Sequence, residues 1–323
     1  MTGHAGRNGD GSTDRFLAQP PDRSDTSPAA IDADELGKRY GRRWALRHCS
    51  LSVPAGRVVG LVGANGAGKT TFLHLAVGLL EPSEGSVLTL DGRPGAGTDQ
   101  LARVGFVAQE APVYPSLTVS EHLRLGERLN PRWDNDLVSS RIARLGLDKA
   151  QRAGRLSGGQ RAQLALTLAM GKRPELLVLD EPVSSLDPLA RREFLQDLMA
   201  LVADQGPTVV LTSHLLADVE RVCDHLIVVA GGRVKLAGDI DDLLATHKLL
   251  TGPRCEATSM PRSYHVVQAS HTERQTTVLV RTTDAVMDPR WAVSDVGLEE
   301  LVLEYMSASR GPGPTPDLVA VQS

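Results

Sequence analysis

The sequence predicts an α/β protein built on a mainly parallel sheet, and three observations carry that prediction. Short apolar runs alternate with stretches of helical periodicity between Val58 and Thr212, the pattern of strand-helix-strand units. The first of these runs, Val58–Val62, leads into the glycine-rich loop Gly63-Ala64-Asn65-Gly66-Ala67-Gly68-Lys69-Thr70-Thr71, and a helix-like stretch, Phe72–Leu80, follows it. Finally, Gln109, Asp180-Glu181 and His214 each stand just past the carboxyl end of a different apolar run, where open parallel sheets bind their ligands.

In chain order, residues 1–30 are rich in Gly, Asp, Ser and Pro and lack a basic start followed by an apolar stretch. They are expected to be a disordered tail and not a secretory signal. From Ile31 the pattern becomes ordered, with short strands at Leu36–Tyr40 and Ala45–Val53 between the turn signals Gly41 and Pro54-Ala55-Gly56. After the glycine-rich loop and its helix, Ser86–Leu90 reads as a strand, Asp91-Gly92 as a turn and Val104–Ala108 as a buried strand. Val119–Leu129, Asp136–Leu145 and Gly159–Met170 have helical periodicity, which predicts an inserted helical subdomain over about residues 113–172. Two more apolar strands, Leu176–Leu179 and Thr208–Thr212, flank the helical stretch Pro188–Ala203.

Composition bounds the function. With 323 residues, 41% of them hydrophobic, the chain is long enough for two domains and a sizeable core. A formal charge of −4 gives no basic bias, so no nucleic-acid partner is expected. Cys49, Cys223 and Cys255 lie far apart without metal-ligand spacing, which argues against a disulfide framework or a zinc site. The longest apolar stretches, such as Leu73–Leu80 and Leu226–Ala230, fall well short of the roughly 18 to 20 residues that span a bilayer. Any action at a membrane is therefore expected to run through a partner.

The glycine-rich loop has the spacing G-x-x-x-x-G-K-[ST], in which successive backbone N–H groups curl round phosphate and the next helix presents its positive end. With 31 Gly in the chain, a chance Gly/Ala turn containing Lys-Thr is the plain alternative, but the flanking strand and helix are the context that supports the motif. Lys69 would reach the β- and γ-phosphates, and Thr70 would offer a hydroxyl to Mg²⁺. Asp180 at a strand end is the expected partner of that ion, and Glu181 can orient and deprotonate a water, help worth about 10² to 10⁴ in rate. For His214 the plain alternative is a structural histidine; its place after a strand end favours a γ-phosphate contact.

Leu156-Ser157-Gly158-Gly159-Gln160 opens a helix about 90 residues after the loop. Physically it is a second anion site, with a hydroxyl from Ser157, backbone N–H groups at Gly158 and Gly159, and a helix N-terminus. This pentapeptide resembles the signature of the ATP-binding cassette (ABC) family. Other family motifs follow by resemblance. Tyr40 stands where an aromatic stacks on adenine, Gln109 matches the Q-loop glutamine that touches Mg²⁺, and Leu176–Pro182 matches the Walker B strand with its catalytic glutamate. Ser185-Leu186-Asp187 matches the D-loop at the dimer seam, and His214 matches the switch histidine. The likeness covers Tyr40–His214 in order and extends to about Asp242. Two positions depart from the pattern: Val183 stands where Thr is frequent, and Arg57 where Glu often follows the glycine.

The resemblance implies a P-loop NTPase fold with an antiparallel β subdomain and the inserted helices. It implies an ATPase with ATP and Mg²⁺ as cofactors, bound by Tyr40, Gly63, Asn65, Gly66, Ala67, Gly68, Lys69, Thr70, Thr71, Gln109 and Asp180. Two copies would pair head to tail, with Ser157, Gly158, Gly159, Gln160 and Asp187 closing on the nucleotide of the other copy. Glu181 would act as base, with His214, Gln109 and Lys69 as the other catalytic groups. The partners implied are a second ATPase subunit and a separate integral membrane permease, at the cytoplasmic face of the cell membrane. Export is the expected direction.

The rival reading is a soluble ABC ATPase acting on nucleic acid or ribosomes. Against it, the span between loop and signature has no sustained heptads of an inserted coiled coil, and the chain has a single cassette. A nucleotide sensor without turnover is disfavoured by Glu181 and His214. The cassette is expected over residues 31–250, a small α+β accessory unit over 251–310, with Thr251-Gly252-Pro253-Arg254 as punctuation, and a flexible tail over 311–323. The accessory unit should hold strands at Ser263–Ala269 and Gln275–Arg281 and a helix at Gly297–Ser307. That helix carries Leu298, Leu301, Val302 and Tyr305 on one face, expected to pack on its own strands, with packing on the cassette or on a second copy as the alternative.

Overall fold

The computed structural model describes residues 28–109, 113–254, 260–261 and 263–307. The chain forms three sheets. The central one has six strands: β3 (Val58–Val62), β5 (Val104–Val107), β6 (Leu176–Leu179), β7 (Thr208–Thr212), β8 (His225–Ala230) and β9 (Arg233–Asp239), in the order β5-β6-β7-β3-β8-β9. All neighbours are parallel except the edge pair β8 and β9. Every residue of β3, β6 and β7 is buried, which explains why they read as unbroken apolar runs rather than alternating ones.

β1 (Ala29–Tyr40) and β2 (Arg43–Pro54), 12 residues each, join β4 (Glu84–Thr89) in an antiparallel sheet of order β2-β1-β4. This is the antiparallel subdomain the family resemblance implied. β1 is longer than the expected Leu36–Tyr40 and begins inside the span read as a tail, because Ala30, Ile31 and Ala33 are buried in the core. The rest of that tail, residues 1–27, lies outside the described residues, as do Cys255 and the 311–323 tail.

Two apolar clusters cover the two faces of the central sheet. On one face Val59, Leu61, Leu176, Val178 and Val210 meet Phe72, Leu73, Leu75 and Ala76 of α1 (Lys69–Ala76) and the antiparallel sheet. α1 ends before the expected Leu80 because Gly78 turns into the left-handed region at φ 81° and the Leu79 N–H returns to His74 O. After α2 (Thr98–Arg103), which carries no strong apolar period, come α3 (Val119–Leu129), α4 (Asn135–Arg144) and α5 (Gly158–Gly171). α3 matches the sequence reading residue for residue, and α4 and α5 match to within a residue at each end. α5 and α6 (Pro188–Gln205) pack Leu166, Met170, Phe194 and Leu198 on the second face, against Leu177, Leu179, Val209 and Leu211.

The carboxyl-terminal part departs most from expectation. β10 (His247–Pro253), β11 (His265–His271), β12 (Gln275–Arg281) and β13 (Ala292–Asp295) form an antiparallel sheet of order β11-β12-β10-β13. β10 crosses the boundary expected at residue 250. Thr251-Gly252-Pro253, read as punctuation, continue an inner strand paired with Thr277, Thr276 and Gln275. The final helix, α9 (Leu298–Ser307), buries Leu298, Leu301 and Val302. That face is not confined to its own sheet. It shares one cluster with Leu279 of β12, Val219 of α7 (Leu216–Val222), Leu226 and Val228 of β8, Leu236 of β9, and Ile240 and Leu243 of α8 (Ile240–Thr246). His247 fastens the join, since its Nδ1–H donates to Leu243 O at 2.7 Å and its Nε2 accepts from the Tyr305 hydroxyl at 2.9 Å.

Candidate functional site

The register of the parallel sheet brings the predicted residues to one edge. Val107 lies beside Leu179, Leu179 beside Leu211, and Leu61 beside Thr212. The residues that follow these strands therefore emerge together: Gly63 to Lys69 after β3, Gln109 after β5, Asp180 and Glu181 after β6, and His214 after β7. This is the ligand edge of an open α/β sheet.

The glycine-rich loop passes from β3 to α1 through Gly68, whose φ of 107° and close approach to Ala45 O (2.7 Å from where a Cβ would stand) exclude a side chain. Gly68 is also the N-cap of α1, and no side chain caps that helix. Its first N–H groups are left to an external acceptor, which suits an anion. Lys69 is buried, and its ammonium donates to Gly63 O at 2.8 Å, across the mouth of the loop. Burial lowers its pKa, while the negative charges of Glu181 and Asp180 oppose that shift. Thr70 is exposed beside it. Tyr40, half exposed, ends β1, with the Lys38 ammonium 5.6 Å from its ring centroid.

Three predicted residues meet at one carboxylate oxygen. Gln109 Nε2 donates to Glu181 Oε2 at 3.2 Å, and His214 Nδ1 lies 3.6 Å from the same oxygen. Glu181 itself has a φ of 45°, a left-handed conformation that a non-glycine residue adopts only where its surroundings enforce it. Asp180 is buried beside it. Both are held by Thr212, a residue that sequence reading used only to bound a strand. Its Oγ1 accepts from the Glu181 N–H at 2.7 Å and donates to Asp180 Oδ1 at 2.7 Å. One signal could have found it: Thr212 is the polar end of the buried run Val209-Val210-Leu211, and a hydroxyl buried there needs partners.

Ser157 and Asp187 are helix N-caps. Ser157 Oγ accepts from the Gln160 N–H at 3.1 Å, and Gln160 Oε1 accepts from the Ser157 N–H at 3.0 Å, a capping box that opens α5. The Ser157 hydroxyl keeps its proton free to donate outward. Gln160, grouped by sequence with the nucleotide contacts, spends its carbonyl on this cap. Asp187 accepts from the Leu189 and Ala190 N–H groups at 3.0 Å and opens α6. The two helix starts lie close together, since a Cβ added at Gly159 would stand 3.2 Å from that of Ala190. Among the described residues, these capping bonds are separate from those that gather Gln109, Asp180, Glu181 and Thr212.

The two departures from the family pattern also have structural explanations. Val183 is buried in the cluster under α5 and α6, and Arg57 faces Asp239 at 3.3 Å and Asp224 at 3.7 Å.

As a whole, the site offers a phosphate cradle, a buried carboxylate at Asp180 and a second carboxylate, Glu181, oriented by an amide, which together suit phosphoryl transfer to water. Comparison with known proteins agrees. The family model described as ABC transporter matches residues 46–184. The Nod factor export ATP-binding protein I of Rhizobium etli is 37% identical over 222 residues, 67% of this chain and 70% of that protein. Its counterpart in Ralstonia nicotianae is 36% identical over 241 residues, 72% and 73% of the two chains. Among solved structures, an ATP-binding subunit of an ABC transporter is 28% identical with a TM-score of 0.60, covering 66% of this chain and 91% of that one. A dimeric bacterial ABC transporter cassette is 25% identical with a TM-score of 0.57, covering 65% and 98%. This chain belongs to the ABC transporter family, as an ATP-binding subunit with ATPase chemistry.

Proposed function

We propose that the chain hydrolyses ATP to power export through a separate membrane permease, working as a pair of identical subunits at the cytoplasmic face of the membrane. The observation that carries the chemistry is the convergence of Gln109, Glu181 and His214 at the edge that also holds the phosphate loop. Among the described residues no helix is long and apolar enough to cross a membrane; the separate permease rests on the relatives, which are named as ATP-binding proteins of an export system. Export rests on the relatives, whose names describe Nod factor export.

In this reading Tyr40 stacks on the adenine, while the backbone of Gly63–Gly68 with Asn65 and Ala67, the Lys69 ammonium and Thr71 hold the phosphates. Glu181 takes a proton from the attacking water, and Gln109 and His214 fix its carboxylate and the γ-phosphate. The Thr70 hydroxyl, the Asp180 carboxylate and the Gln109 carbonyl form an all-oxygen donor set that fits Mg²⁺, with the Gln109 NH₂ already turned towards Glu181. When bound, that ion neutralises charge on the β- and γ-phosphates.

Ser157, Gly158 and Gly159 of a second copy close over the nucleotide, with Asp187 at the seam. A solved relative that is dimeric supports the pairing. The cassette runs to the end of α8 and the accessory unit begins with β10.

Two measurements test the proposal. Glu181→Gln should bind ATP and lower turnover by about 10² or more, accumulating as an ATP-bound pair on size exclusion. Turnover at the wild-type rate would remove Glu181 as the base. Affinity capture of the tagged chain from detergent-solubilised native membranes should bring down a polytopic membrane protein in stoichiometric amount. Recovery only from the soluble fraction, with ribosomes or DNA-associated proteins, would overturn the transport reading and leave the ATPase standing.

A further inference from the structure

The single hydroxyl of Thr212 joins the two acidic residues at the end of β6, and we propose that Thr212 is a positioning residue for hydrolysis that aims Asp180 and Glu181 together. The inference rests on the reading of Glu181 as base. Thr212 lies outside every family motif named above.

Hydrogen-bond accounting fixes the direction of both bonds. A hydroxyl has one proton and two lone pairs. The Glu181 backbone N–H can only donate, so Thr212 Oγ1 accepts from it at 2.7 Å. The hydroxyl proton then goes to Asp180 Oδ1, also at 2.7 Å. Thr212 is fully buried, so water offers neither carboxylate nor amide a substitute partner. Its neighbours on β7, Val209, Val210 and Leu211, are buried and apolar, so the hydroxyl is matched to the two acidic residues alone.

Two consequences follow for the site. Oδ1 of Asp180 accepts the Thr212 proton, which fixes how this carboxylate is turned. The bond to the Glu181 N–H also holds that residue at φ 45°. A left-handed backbone at a non-glycine residue relaxes when its restraint is removed, and relaxation here would swing the carboxylate away from Gln109 and His214. The tertiary context thus stores in one side chain the orientation of the base.

The test uses the full-length chain. Thr212→Val keeps shape and removes the hydroxyl, and Thr212→Ser keeps the hydroxyl and removes the methyl. Thr212→Val is expected to lower kcat about tenfold or more, with KM for ATP within about threefold, and Thr212→Ser to restore kcat to within about threefold of wild type. In a Glu181→Gln background, Thr212→Val should add less than about threefold, because its effect passes through Glu181. If Thr212→Val does not fold, as judged by its thermal melt, Thr212→Ala is read by the same criteria. A hydroxyl-free variant with kcat near wild type, a Thr212→Ser chain as slow as Thr212→Val, a loss confined to KM, or a full additional loss in the Glu181→Gln background would each overturn the proposal. Wild-type turnover by Glu181→Gln alone is a different failure, that of the base, and takes this inference with it.

Discussion

Gln109 Nε2 donates to Glu181 Oε2 at 3.2 Å, and this bond spans two strand ends that are 72 residues apart in sequence. The oxygen so held also faces His214 at 3.6 Å, and in the proposed reaction Oε1 of Glu181 would be the oxygen that receives the proton. Removing the amide frees the carboxylate to rotate without touching the phosphate loop. Gln109→Ala is therefore expected to lower kcat by about tenfold or more while ATP binding stays within a few-fold. Steady-state hydrolysis with a separate nucleotide titration measures both. A rise in the dissociation constant that accounts for the whole loss would place Gln109 in binding rather than in aiming the base.

The ligand edge of this fold is legible because its residues follow apolar, largely buried strands of unambiguous type. The bounds Leu176–Leu179 and Thr208–Thr212 are those the structure shows; Asp180 directly follows the first strand, and Thr212 ends the second. Four features are not legible in the sequence. Thr212 was hidden because its role depends on the lateral pairing of β6 with β7, which sequence spacing does not encode. The carboxyl-terminal unit was misdivided because Gly252 and Pro253 look like a turn locally, yet antiparallel pairing with Gln275–Thr277 keeps them extended. A short helix without a strong apolar period, α2, was missed for lack of any local signal. The α9 face is legible as a stripe, but the choice between its own sheet and the cassette is not, since periodicity shows that a face is buried without showing against what.

The join between cassette and accessory unit should be acid-sensitive through His247. This residue is fully buried, and burial holds its pKa below the ordinary 6.5, with the positive charge of Arg281 and the proximity of His265 acting in the same direction against the Leu243 carbonyl. The Tyr305 phenol, raised to about 12 by burial, stays protonated and donates to Nε2. The unfolded chain therefore binds the proton more readily than the folded one. Stability supplied by neutral His247 is complete above about 6.5 and declines as the pH falls from there through the lowered folded value. Melting temperatures compared at neutral and mildly acid pH should fall further for wild type than for His247→Gln, which carries no proton to take up. An equal fall in both would assign the acid sensitivity to other groups.

The same join can be tested by packing alone. Leu301 is fully buried in α9, within the cluster that contains Val219, Leu226 and Val228 of the cassette as well as Leu279 of the accessory sheet. Leu303, on the same helix, is 53% exposed. Truncating Leu301 to Ala removes buried methyl groups where two units meet, and the expected destabilisation is about 2 to 5 kcal/mol. Leu303→Ala should stay within roughly 0.5 kcal/mol. If the accessory unit merely rested on the cassette, Leu301→Ala would loosen α9 and leave the cassette's unfolding unchanged. Because Val62, at the strand end that feeds the phosphate loop, lies in the same cluster, the expected result is instead a lower melting temperature for the cassette itself. Denaturation of Leu301→Ala, followed once by far-ultraviolet dichroism and once by loss of nucleotide binding, decides between the two. Coincident transitions, both shifted down, mean that α9 is part of the cassette's own core. A shift in the dichroism alone, with nucleotide binding lost where wild type loses it, would mean that the cassette folds without it.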